Sequence, residues 1–387
     1  MILYRLVLLL ALPLLCLHAW RRGALRDRLA LGPAIPGAIW VHGASNGEIT
    51  SARRVIEALA ARGDRVLVTC NNPTAKAMVE GWGVGVTTRL APFDDMPTVR
   101  RFLRRWQPRA LVVIENELWP ERITAAAHRM PVLAIGARMS ERSARRWQKV
   151  PLMRRMLGAL SWVSAQDAQS EARLVALGLP PDRLGPRLML KTAEAGVPTN
   201  GPVPREETLL AASTHEGEDA PILAAFAAQS RFRWLILAPR HPKRGPQIAE
   251  LARGMGLDVR LRSAGDAPGG QVYIADTLGE MATWYGMAGA TFIGATFVEK
   301  GGHTPFEPVA AGSAVLHGPS LFNFTEVFAA LGDSVLPVTP ETLAATLDAL
   351  TPDRQRQLAD AARTALPRSD PTPVVEALDR LIQRIAR

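Results

Sequence analysis

Cysteine is scarce in this 387-residue chain: only Cys16 and Cys70 occur, in unrelated contexts. That excludes a disulfide framework and suits a folded part held in a reducing compartment. Lysine is nearly missing as well, found only at positions 76, 149, 191, 243 and 300. Lys and Arg together still number 46 against 36 Asp and Glu, a net charge of +10. Arginine therefore carries the positive charge, and its planar fork suits phosphates and carboxylates. The seven histidines (18, 42, 128, 215, 241, 303 and 317) include no HExxH and no paired ligand spacing, so a zinc enzyme is not expected. A dinucleotide fingerprint is lacking: GWGVG at 81–85 has the wrong spacing and follows a helical segment, and there is no Walker A sequence. Nor is there a stacking-rich basic patch, so no nucleic-acid partner is expected. With 48% hydrophobic and 21% charged residues, the composition excludes a disordered or collagen-like chain.

What is present begins with an apolar run, LVLLLALPLLCLHAW at 6–20. With Met1–Arg5 it approaches the roughly 17–25 residues a spanning helix needs. Only Arg5 precedes the run, whereas Arg21, Arg22, Arg26 and Arg28 follow it. That asymmetry is the reverse of a cleaved signal peptide and holds the following chain on the cytoplasmic side. An uncleaved anchor is the expected reading, with a secretion signal and a buried helix as alternatives. Pro13 leaves both a crossing and a shallow embedded helix open. The trailing arginines suit anionic lipid headgroups.

Beyond residue 35, short β-branched runs alternate with helical patterns, and the length suits two domains. Strands are predicted at 38–42, 65–69, 84–90, 110–114, 131–135 and 162–166, with a helix over about 48–62. The pattern stops in the Gly- and Pro-rich stretch after Lys191 and restarts at 208–213, 234–239, 258–262, 272–276, 290–295 and 313–318. From about Glu341 it is helical. This alternation predicts two α/β domains, each a doubly wound parallel sheet, with a cleft between them. The expected boundaries are an anchor at 1–21, a first Rossmann-like domain at 22–191, a linker at 192–206 and a second at 207–387.

Four loops carry polar residues that a fold alone does not demand. HGASNGE (42–48) puts Glu48 at a strand-to-helix junction, either as a helix-start carboxylate or as a general base. ENELWP (115–120) puts Glu115 and Glu117 after an apolar strand, where burial raises a carboxyl pKa or calls for a cation; one of them could equally cap a helix or pair with Arg138. APRHPKR (238–244) gathers Arg240, His241, Lys243 and Arg244 at a strand end, a phosphate or carboxylate site or else a solvated basic turn. GATFVEKGGHTPFEP (294–308) leads through Gly301 and Gly302 into a helix start, where Glu307 either accepts from ribose hydroxyls or is an ordinary first-turn acid.

At these loops the sequence resembles the bacterial 3-deoxy-D-manno-octulosonic acid (Kdo) transferases of lipopolysaccharide synthesis. WVHGASNGE (40–48), ENELWP (115–120), GARMSERS (136–143), STHEGE (213–218), APRHPKR (238–244), GEM (279–281), KGGHTPFEP (300–308) and GPSLFNFTE (318–326) follow in that family's order. The resemblance implies a GT-B glycosyltransferase that moves Kdo from CMP-Kdo to the 6′-hydroxyl of a lipid A precursor (lipid IVA), with inversion and without a metal or cofactor. It implies Glu48 as the base, and Glu117 and Lys191 as transition-state stabilisers. It assigns Pro239 and Arg240, then Gly279, Glu280 and Met281, then Thr304, Pro305, Phe306 and Glu307 to CMP binding. The implied location is the cytoplasmic face of the inner membrane, with no obligate protein partner. A GT-B enzyme acting with another nucleotide sugar on an envelope lipid is the alternative. The chain departs from the family pattern at Glu121 (for Asn), Gly136 (for Asn), Leu188 and Met189 (for Gly-Asn), Ala295 and Thr296 (for Gly-Ser) and Thr304 (for Asn).

Overall fold

Runs of aliphatic and β-branched residues become strands whose side chains are buried on both faces, as a parallel sheet covered by helices requires. The computed structural model describes residues 1–190, 199–366 and 370–386. Its first six strands are β1 Ile39–His42, β2 Val66–Cys70, β3 Thr87–Leu90, β4 Ala110–Ile114, β5 Val132–Ala137 and β6 Trp162–Ala165. They pair in parallel in the order β3-β2-β1-β4-β5-β6, so the winding reverses between β1 and β4. The run predicted at 84–90 yields only its second half as strand. Gly83 and Gly85 both have φ of +68°, which keeps that stretch a loop.

A second sheet holds β7 Thr208–Thr214, β8 Trp234–Pro239, β9 Val259–Leu261, β10 Val272–Ile274, β11 Ala290–Ile293, β12 Ala314–His317 and β13 Leu336–Pro337. Its order is β13-β12-β11-β7-β8-β10-β9, with the winding reversed between β7 and β11. Two compact units result, each with one sheet. In each sheet the reversal is where parallel α/β folds open a crevice at the carboxyl ends of the strands.

The last helix corrects the expected division. Thr372–Ala386 does not join the second unit but packs on the first, against the helix Arg53–Ala61. Val374, Ala377 and Leu378 are fully buried there, with Leu381 and Ile382 packed alongside. These positions form one apolar stripe at helical spacing. Burying its larger members stabilises by about 1.5–3 kcal/mol each. Arg62 bridges Asp379 at 2.8 Å on the rim.

The N-terminal helix runs unbroken from Ile2 to Arg21 through Pro13. It is long and apolar enough to cross a membrane, with a mean hydropathy of 2.1. Both of its ends are held to the first unit. Tyr4 donates to Asp94 (2.8 Å) and Arg5 forks onto Glu121, while Ala19 is buried at the other end. Leu3, Leu6, Val7, Leu10, Leu14 and Leu17 face outward, Leu10 with 81% of its surface exposed.

Candidate active site

In the first unit, polar groups gather at the carboxyl ends of β1 and β4. Ser45 has extended backbone and caps the helix Asn46–Ser51, its Oγ accepting from the Glu48 N–H at 3.3 Å. Glu48 reaches back. Its Oε2 accepts from the Ala44 N–H at 2.7 Å, and its Oε1 accepts from the Ser45 hydroxyl at 3.1 Å. This is a variant of the capping box, and it fixes the carboxylate without neutralising it. Burial pushes the Glu48 carboxyl pKa above its usual value, and the charges of Glu117 and Glu115 add to the rise. Both readings of Glu48 thus describe one side chain: it is a cap, and its pKa is shifted in the direction a general base needs.

Glu117 lies on the turn after β4. The Trp119 indole N–H donates to its Oε2 at 2.7 Å, and His42 Nε2 lies 3.1 Å from the same oxygen. His42 is completely buried, and burial, reinforced by the nearby Arg122, lowers its pKa to about 4. The ring is therefore neutral, and the network assigns its tautomer. Trp40 Nε1 donates to Thr69 Oγ1 (2.8 Å), that hydroxyl donates to His42 Nδ1 (2.9 Å), and Nε2–H donates to Glu117. Burial alone would raise the Glu117 pKa, but the His42 and Trp119 hydrogen bonds with the Arg122 charge hold it below the ordinary range. Two carboxylates on neighbouring loops are thereby pushed in opposite directions. Such a split separates a proton acceptor from a permanent anion.

The turn itself is held under strain. Glu115 has φ of +52°, a left-handed conformation costing about 1 kcal/mol or more for a non-glycine residue. The following helix, Pro120–Ala127, starts at Trp119, whose side chain cannot cap it. Asp94, distant in sequence, accepts instead from the Glu121 and Arg122 N–H groups at 2.9 and 2.8 Å. Arg122 is fully buried, with its guanidinium 5.7 Å from the ring centres of both Trp40 and Trp119.

The depressed His42 pKa has a measurable consequence. An ordinary His titrates near 6.5, so on acidification the unfolded chain binds this proton first. Stability is then complete above pH ~6.5 and falls as the pH drops toward about 4, by on the order of 3 kcal/mol from this residue. Urea unfolding of the wild type and His42→Gln across pH 4–7 checks this. An equal pH slope in both would rule out His42 as the source.

In the second unit the chemistry-bearing loops follow β7, β8, β10 and β11. Arg240 directly follows β8, its N–H donating to the Thr214 carbonyl at 2.9 Å and its side chain exposed. Gly279 has φ of +90°, and Met281 opens the helix Met281–Met287. The Glu280 carboxylate accepts from Arg262 at 2.9 Å and from Thr277, and those two hydrogen bonds lower its pKa. Thr304 Oγ1 accepts from the Phe306 N–H at 3.3 Å, and Pro305 precedes the short helix Phe306–Ala310, which carries Glu307. Lys191 lies outside the described residues.

One buried anion organises this end of the sheet. Glu218 is completely buried, and its carboxylate accepts from four backbone N–H groups: His215 (2.8 Å), Ala295 (2.7 Å), Thr296 (2.9 Å) and Phe297 (2.9 Å). It thus ties the loop after β7 to the loop after β11 across the reversal of the winding. Among the described residues no cluster of His, Cys, Asp or Glu is arranged to hold a metal ion. A cavity of about 1170 Å³ opens beside the amino ends of β5 and β6, lined by Pro131, Trp162, Arg183 and Arg380.

The family model for 3-deoxy-D-manno-octulosonic-acid transferases (Kdo transferases) matches residues 21–193. The 3-deoxy-D-manno-octulosonic acid transferase of Bordetella pertussis is 34% identical over 77% of this chain and 75% of its own length. That of Haemophilus influenzae is 32% identical over 76% and 73%. The chain belongs to the Kdo transferase family. A glycosyltransferase from Rickettsia africae, 12% identical, superposes with a TM-score of 0.57 over 91% of this chain and 97% of that one, which gives the fold as GT-B.

Three of the departures from the Kdo transferase pattern have local reasons. Gly136 has φ of +59°, a region open to Gly and Asn alike, and a Cβ there would come within 2.6 Å of Leu190. Thr304 accepts from a helix-start N–H, the task an Asn also performs. Leu188 is buried in the first unit's core. Ala295, by contrast, adopts φ of +63° where the family has Gly, and the Glu218 hydrogen bond to its N–H supports that strained backbone.

Sequence reasoning did not assign roles to His42, Asp94, Arg122 or Glu218. The only local signal was a polar residue at or just beyond the end of an apolar strand, as in IWVH and in STHEGE.

Proposed function

We propose that the protein transfers Kdo from CMP-Kdo to the 6′-hydroxyl of a lipid A precursor, with Glu48 as general base. The observation that carries this reading is the opposed pair of carboxyl shifts at the β1–β4 reversal, in a chain of the Kdo transferase family. Glu48 accepts the hydroxyl proton. The freed oxygen bonds to the anomeric carbon of Kdo, and the carbon–phosphate-oxygen bond breaks with inversion, CMP leaving with the electron pair. Glu117, held ionised, would stabilise positive charge developing on the sugar. In the second unit Arg240 would meet the phosphate, with the Gly279–Met281 and Thr304–Glu307 loops completing the nucleotide site. Lys191 would support the same transition state. Cationic side chains supply the charge stabilisation at the leaving group, so the transfer is proposed to need no metal.

The test is transfer in vitro, with CMP-Kdo made in situ, chelator added once the donor has formed, and a tetra-acylated lipid A precursor, read by mass spectrometry. A mass gain of one or more Kdo units in chelator supports the reading. No product from folded, CMP-binding protein overturns it and turns the search to another nucleotide sugar or acceptor.

The N-terminal helix is proposed as the anchor to the cytoplasmic face of the inner membrane, lying in the interface plane. Two features support this: both of its ends are tied to the first unit, and its outward side is apolar. Arg21, Arg22 and Arg26 would meet anionic headgroups. Leu10→Glu is expected to reduce co-sedimentation with anionic lipid vesicles several-fold. On sealed vesicles an N-terminal tag should be cleaved from the same side as the folded units; protection of the tag would mean that the helix crosses.

A further inference from the structure

Three histidines converge at the carboxyl end of the second sheet without a part in the transfer step as written. His215 follows β7, His241 follows β8 and His303 lies in the loop after β11, so His215 and His303 face each other across the reversal of the winding. Their Nε2 atoms are 3.1 Å apart. The two ring planes differ by 11° and the centroids are 5.3 Å apart. The centroid separation exceeds the nitrogen separation by about the two ring radii, so the rings lie end to end in almost one plane with the nitrogens pointing at each other. A metal on that line, at about 2.0–2.1 Å from each nitrogen, would need them roughly 4 Å apart. The geometry is instead that of an N–H···N hydrogen bond: one ring donates from Nε2 and the other accepts.

Such a pair holds one extra proton in a particular way. Protonation at the donor ring's Nδ1 leaves the central hydrogen bond intact and makes it charge-assisted, whereas a second proton would break it. The two rings therefore titrate as one unit. In the protein alone the cationic and imidazole neighbours of the pair oppose that proton. The β8 loop presents Arg240 and His241, and the β11 loop presents Lys300. The Glu218 carboxylate, bonded to the His215 N–H, is buried and already accepts four N–H bonds. Burial and these neighbours hold His215 near a pKa of about 4 and lower His303 as well. Among the described residues neither the Arg240 guanidinium nor the Lys300 ammonium forms an ion pair.

We propose that His215 and His303 form a single proton-sharing unit that takes up one proton when a phosphate monoester dianion enters this crevice. The inference rests on the reading of the second unit as the nucleotide-binding one. The dianion offsets the Arg240 and Lys300 charges that keep the pair neutral, and the captured proton adds a third positive charge beside the phosphate. For the transfer reaction this places an adjustable charge where the leaving group gains its second negative charge. His215 and His303 are thus proposed as anion-binding residues, with His241 edge-on to His215 at 5.7 Å as a neighbour outside the pair.

The experiment is isothermal titration of the full-length protein with CMP, in two buffers of different ionisation enthalpy, at pH 6.5, 7.0 and 7.5. Cytidine and inorganic phosphate serve as control titrants. The expected result is an uptake approaching one proton per CMP, with affinity falling towards tenfold over that pH unit. Cytidine should cause no uptake, and inorganic phosphate should cause some. His303→Gln and His215→Gln keep a hydrogen-bonding side chain but cannot charge, so each should bind CMP more weakly with the proton uptake gone. A purely structural role would weaken binding without changing the proton count. Uptake that persists in both variants would put the proton on the phosphate and overturn the proposal, as would wild-type binding without uptake. Failure of the wild type to bind CMP at all would instead overturn the donor-site reading beneath it.

Discussion

Glu48→Gln is expected to lower turnover by about 10²-fold or more, the contribution of a general base, while leaving CMP affinity unchanged. Glutamine keeps an oxygen to accept from the Ala44 N–H at the site of a 2.7 Å bond, so the loop should hold its shape and the unfolding midpoint should barely move. The wild-type pH profile adds a second check. The base works only when ionised, and burial holds this carboxyl above its usual value. Turnover should therefore fall as the pH drops through a midpoint higher than that of an exposed Glu. That limb should vanish in the Gln variant. Undiminished transfer by Glu48→Gln would reduce Glu48 to a helix cap and move the search for the base to Glu115 or Glu117.

Glu218→Ala is expected to cost about 3–5 kcal/mol of stability. It leaves four N–H donors without an acceptor, two of them fully buried, and removes one of the ties between the loops after β7 and β11. The loss should reach Ala295, whose left-handed backbone would keep its carbonyl bond from the Gly302 N–H (2.8 Å) but lose the one at its own N–H. Urea unfolding followed by tryptophan fluorescence should show an early transition, and CMP affinity should fall with it. Glu218→Gln is expected to be intermediate, because its amide would turn two donors toward N–H groups that need acceptors. An unchanged unfolding curve for the Ala variant would mean that water satisfies those donors and that the tie carries little energy.

The two effects differ in kind. Glu48 is half-buried beside a cap that survives substitution, so its loss appears in rate. Glu218 is sealed from water, so its loss appears in stability first and in binding as a result.

The sequence by itself determined a good deal. Runs such as ALVVI and WLILAP are apolar on alternate and intervening positions alike, which suits a short strand covered on both faces, and they fall in the structure at Ala110–Ile114 and Trp234–Pro239. Ser45 three residues before Glu48 is a helix-start pattern readable without coordinates, and the cap forms as that spacing dictates. The apolar N-terminal run and the ordered family motifs were equally local.

Only tertiary structure decided the rest, because the contacts involved have no local signature. The stripe Val374, Ala377, Leu378 says that one helix face is buried, but not which unit buries it. Asp94 caps a helix through an N–H 27 positions later, Glu218 holds a loop 78 positions on, and His215 meets its partner 88 positions away. A carboxylate or imidazole reads the same in any sequence. Its protonation state follows from how much water the fold removes and which charges it brings near.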